Sequence, residues 1–119
     1  MANLQQSLNN ATSAAVGAAY VYAKTPMGKR MAALQSIKQE EANINKQIEI
    51  EGRRLSTADD ETEKQIQQNY TEQLSQLVSL GERRYKMNPT QASFESLLRR
   101  QGELEEQKVF MKDIYGGND

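Results

Sequence analysis

The stretch NPTQASFESLLRRQGELEEQKVFMKDIYGG, residues 88–117, decides the fold. Asn88-Pro89-Thr90-Gln91 reads as a helix start. Asn supplies a capping oxygen, Pro sits where a missing N–H costs nothing, and Gln stands at the capping-box position. Phe94, Leu97, Gln101, Leu104, Lys108, Met111 and Tyr115 then recur at alternating steps of three and four, the spacing of one helix face. Two of these seven positions are polar, so the face reads as a seam that is partly wet or specifies its register. Phe110 and Ile114 widen it near the end, and Gly116-Gly117 terminate it.

The same grammar runs upstream. Ser56-Thr57 ahead of Asp59, Asp60 and Glu61 predict an N-cap and an acid-rich first turn, with a helix beginning near Ala58. Its stripe is Ile66, Tyr70, Leu74, Leu77 and then Val78 or Leu80, after which Gly81 is expected to loosen the chain. Thr25-Pro26 opens an earlier helix whose stripe is Met27, Met31, Leu34, Ile37, Ile44, Ile48 and Leu55. Glu41 and Glu51 fall where a heptad prefers apolar residues, and Gly52 weakens the last turns.

Composition agrees with long helices. Ala, Glu, Lys, Leu, Arg and Gln dominate, only two Pro occur, and residues favouring sheet are scarce. The expected fold is all-α: three long amphipathic helices at about 26–55, 58–87 and 89–115, each roughly 40 Å long, preceded by a short Ala-rich helix. Two arrangements are open, a helical bundle or a kinked coiled-coil rod. Residues 1–25 form an uncharged, Ala-rich segment apart from Lys24, residues 26–115 the helical domain, and residues 116–119 a flexible tail. Leu, Ile, Val and Phe supply only 22 of 119 residues, a thin core that favours completion by partners.

Charge divides the chain near residue 39. Residues 1–39 carry Lys24, Lys29, Arg30 and Lys38 with no acid, whereas residues 40–119 carry a net charge of -5. Within the first part Ala11, Ala15, Ala19 and Ala23 recur every four residues, a smooth ridge that lets helix backbones approach closely. Tyr20 and Tyr22 beside Lys24 form the aromatic and basic edge with which a segment settles at a membrane interface. The apolar run, residues 11–23, is too short to span a bilayer. Its basic residues follow it, the reverse of a secretory signal.

The absence of Cys and His excludes thiolate and imidazole catalysis and the usual zinc sites, so no catalytic residue, cofactor or metal ligand is expected. The doublets Arg53-Arg54, Arg83-Arg84 and Arg99-Arg100 lie among acids, and the first two sit near helix C-termini, where cations offset the helix dipole. Any anionic partner, nucleic acid included, would meet Lys24, Lys29 and Arg30 first. The paired acids Glu40-Glu41, Asp59-Asp60 and Glu105-Glu106 point in different directions on a helix and do not converge on a site.

The order of segments, SAAVGAAYVYA at 13–23, KTPMGKRMAALQSIK at 24–38 and then Gln- and Glu-rich helices, resembles the internal ejection or DNA-pilot proteins of tailless and short-tailed bacterial viruses. That resemblance implies a helical protein that oligomerises and crosses a host envelope. NPTQASFESLL at 88–98 and KVFMKDI at 108–114 are also similar to the turn and C-terminal helix of type III secretion needle and rod subunits.

The leading expectation is a non-enzymatic helical assembly protein. It would oligomerise through seams containing Met31, Leu34, Ile44, Ile48, Ile66, Leu74, Leu77, Phe94, Leu97, Leu104 and Met111, with residues 11–23 touching neighbouring helices or a membrane, in a virion or cell envelope. The alternative is a soluble adaptor or chaperone that binds a partner helix in a groove.

Overall fold

The computed structural model describes residues 24–116, which are all-α. The expectations for Ala11, Ala15, Ala19 and Ala23, for Tyr20 and Tyr22, and for tail residues 117–119 lie outside the described residues. Three helices follow in order: α1 (Pro26–Arg54), α2 (Asp60–Met87) and α3 (Gln91–Tyr115), with a 3-10 turn at Leu55–Thr57 between the first two. The chain divides into two compact units, one closing at Ser36 and the other opening at Ile37.

In the first unit, α1 starts at the Thr25-Pro26 signal. Thr25 Oγ1 accepts the Gly28 N–H at 2.9 Å, and the Thr25 carbonyl accepts the Lys29 N–H at 2.9 Å. Leu34 is buried, whereas Met27 and Met31 are exposed, so the two methionines of the expected stripe do not share its burial.

In the second unit the caps differ from the sequence reading by two or three residues. Asp59, rather than Ser56 or Thr57, caps α2 by accepting the Thr62 N–H at 2.8 Å, which holds its carboxyl below the usual range. Thr90, rather than Asn88, caps α3. Its hydroxyl accepts the Ser93 N–H at 3.1 Å, and its own N–H donates to Ser93 Oγ at 3.0 Å, a capping box with Ser in place of Gln91. Asn88 instead closes α2, donating its N–H to the Arg84 carbonyl at 2.9 Å. Gly116, at φ 74°, ends α3 in the left-handed conformation that glycine adopts without strain.

α2 and α3 form an antiparallel hairpin. Tyr85 meets Phe94 beside the connection, Gln67 meets Gln107 further along, and Lys64 lies over the Tyr115 ring at the open end. Leu74, Leu77, Ile66, Leu80 and Leu97 make its buried core, and these two helices account for most close backbone contact between described helices. Gly81 does not loosen the chain; it sits inside an uninterrupted α2. A Cβ there would lie 3.3 Å from Leu97 Cδ1, so the missing side chain admits α3 closely.

From Ile37 onward α1 runs antiparallel to α2, and its contacts are carried by long side chains. Arg84 Nη1 lies 3.4 Å from one Glu41 carboxylate oxygen and hydrogen-bonds the other at 3.5 Å. Gln73 donates to Glu51 at 3.5 Å, and Arg100 donates to Asn45 at 3.1 Å. The two acids that interrupt the apolar stripe are therefore answered by polar groups of α2. Ile37 is fully buried, while Ile44 and Ile48 are only half-buried. Within this unit the helices fold back on one another.

Gly52 and Gly81 should respond oppositely to added bulk. Gly81→Leu should destabilise by about 1–3 kcal/mol through overpacking. Gly52→Ala, with open space around the new Cβ, should stabilise by up to about 1 kcal/mol through helix propensity. Denaturant unfolding of the two variants checks both signs.

Candidate interaction surfaces

The inward face of α3 is shifted by one residue at three positions from the expected seam. Ser93, Leu97 and Gln107 are buried, Arg100, Leu104 and Met111 are half-buried, and Phe94, Gln101 and Lys108 are exposed. The stripe is thus Ser93, Leu97, Arg100, Leu104, Gln107 and Met111, which keeps Leu97, Leu104 and Met111 but exchanges the residues between them. Two adjacent stripes share those three apolar residues, and the neighbouring helices choose between them. Gln107 Nε2 donates to Gln67 Oε1 at 2.9 Å, and Arg100 bridges Glu103 at 3.0 Å and Asn45 at 3.1 Å. Phe94 keeps its ring against Tyr85, 5.7 Å between centroids, with much of its surface in water.

A cavity of about 310 Å³ lies where the C-terminal turns of α1 meet the hairpin. Ile48, Leu55, Ile66 and Phe110 form its apolar wall, and Gln73 and Tyr70 its polar side. Gly52 also lines it. The Tyr70 phenol is pushed up by burial first and by the charge of Glu103 and Glu106 next, with Arg100 pulling the other way.

The second surface is the outer side of α3. Leu98 and Val109 are 50% and 56% exposed, although Leu97, Leu104 and Met111 of the same helix point inward. A helix with large apolar groups on both sides has more surface to cover than one bundle provides.

The remaining candidates resolve into ordinary surface. Lys24, Lys29 and Arg30 are exposed in the first unit. Arg53 pairs with Glu49, Arg84 with Glu41, and both Arg99 and Arg100 with Glu103, so each doublet has at least one charge answered within the chain. Among the described residues no group of three or more acidic, His or Cys side chains could hold a metal ion, and no helix is long and apolar enough to cross a membrane. No family model, curated protein or solved structure matches the chain.

The Tyr70 environment has a pH consequence. The folded-state pKa lies above the ordinary phenol value near 10, so the neutral ring's contribution to stability is whole below about pH 10 and is lost as pH rises through the folded value. Tyr115 is also raised, by desolvation and then by Glu63 and Asp60. Ultraviolet titration should therefore show late ionisation from Tyr70 and Tyr115, and Tyr70→Phe should diminish that late component.

Proposed function

We propose that this protein is a non-enzymatic helical assembly component that associates with further copies of itself through the outer side of α3. The observation that carries this reading is the two-sided apolar character of α3, with Leu98 and Val109 exposed while Leu97 supports the bundle. The bundle holds the helix in place, and the outer residues remain for a neighbour. The resemblance in segment order to viral ejection proteins supports a virion or envelope-crossing setting, with residues 11–23 as the membrane-contacting part.

The cavity beside Gly52 favours a second reading, an adaptor that accepts an apolar side chain of a partner helix between α1 and the hairpin. Gly52→Leu would occlude that space without touching the outer side of α3. It should leave self-association intact and abolish capture of a partner helix.

The absolute mass of the intact protein, measured by light scattering across a concentration series, tests the assembly reading. Mass should rise toward a defined multiple of the monomer, and Leu98→Ser should weaken association by about tenfold or more, roughly 1.4 kcal/mol. A monomer at every concentration contradicts the reading.

A further inference from the structure

The outer side of α3 carries more information than its apolar content. Glu95, Leu98, Gly102, Glu105, Val109 and Lys112 follow one another at alternating steps of three and four, and all six are exposed. This is the spacing of a two-helix seam. On an isolated bundle it would be an ordinary wet face, but its order is self-complementary in one direction only. Set parallel against a second copy, the stripe would place Glu on Glu at two layers and Lys on Lys at a third. Set antiparallel, with 95 level with 112, no layer sets like charges opposite each other: Glu95 meets Lys112, Leu98 meets Val109, and Glu105 lies over Gly102, each occurring twice about a two-fold axis.

We propose that α3 pairs antiparallel with α3 of a second copy in this register, an inference that rests on the assembly reading and gives it a geometry. The two aliphatic residues of the stripe, Leu98 and Val109, both exposed, cover each other. Gly102 has open space where a Cβ would stand, leaving room for the stem of Glu105 from the second copy to lie across it. On one flank Arg99, which makes a loose 3.9 Å contact to Glu103 in its own chain, comes beside Glu106 of the second copy. That flanking pair also occurs twice, and Gln101 faces Lys108 on the other flank without a charge conflict. With two aliphatic layers and four charge pairs, the contact is modest and weakens as salt rises.

Charge reversal tests the register directly. Glu95→Lys alone and Lys112→Glu alone each turn two attractive layers into like-charge layers, and each should weaken dimerisation at least tenfold at low salt. The double variant Glu95→Lys/Lys112→Glu exchanges the charges across both layers and should restore it. Both positions are solvent-exposed, so helix content and unfolding midpoint serve as controls that the bundle is intact. Because the chain has no native cysteine, Leu98→Cys/Val109→Cys should oxidise to a covalent dimer. Leu98→Cys alone should not, because its two copies would sit about 16 Å apart along the axis. A dimer indifferent to the single reversals, or a double variant as weak as either single, overturns the register while leaving self-association standing. A wild-type chain that stays monomeric overturns both.

Discussion

The close approach of α2 and α3 at Gly81 and Leu97 is the constraint from which the rest of the fold follows. With so few large aliphatic residues, the chain buries most of its core on the two helices that come closest, where Leu74, Leu77, Leu80 and Leu97 are buried. A side chain at position 81 would press on Leu97 and hold the helices apart. The hairpin is therefore the dense part of the molecule. From Ile37 onward α1 is held differently, by one fully buried isoleucine and by Glu41, Asn45 and Glu51 reaching polar groups of α2 and α3.

This unequal packing determines where surfaces suited to binding arise. Between the C-terminal turns of α1 and the hairpin, the long side chains leave a cavity bordered by Gly52. On the far side of α3, the closeness of the hairpin turns Leu98 and Val109 outward. The first feature comes from loose packing and the second from tight packing. Among the polar residues that line the inside, Gln107 donates to Gln67 and Arg100 donates to Asn45 and Glu103, and these bonds add direction to a core with little apolar area.

Much of the architecture was legible in the sequence because helix ends and helix faces are local properties. Thr25-Pro26 marks the start of α1, and the stripe through Ile66, Leu74 and Leu77 is the buried face of α2. The caps at Asp59 and Thr90 were displaced because several capping residues stand within three positions of one another. Only the one placed three residues before a free N–H can accept it. The α3 register was less legible, since Phe94 draws a seam toward itself while Ser93, Arg100 and Gln107 look like surface. The cross-helix partners of Arg100 and Gln107, Asn45 and Gln67, lie on other helices, and no pattern within residues 88–117 contains that information. The choice between bundle and rod was open for the same reason. The outer stripe from Glu95 to Lys112 was present in the sequence, but it becomes visible as a surface only once the inner one is known.

Native-state hydrogen exchange, followed residue by residue, tests the central claim that the hairpin is the cooperative core and α1 is applied to it. Amides around Leu74–Leu80 and Leu97–Leu104 should exchange only through global unfolding, whereas those of residues 40–54 in α1 should exchange earlier through a smaller opening that leaves the hairpin intact. Equal protection across all three helices, or greatest protection in α1, would contradict this account.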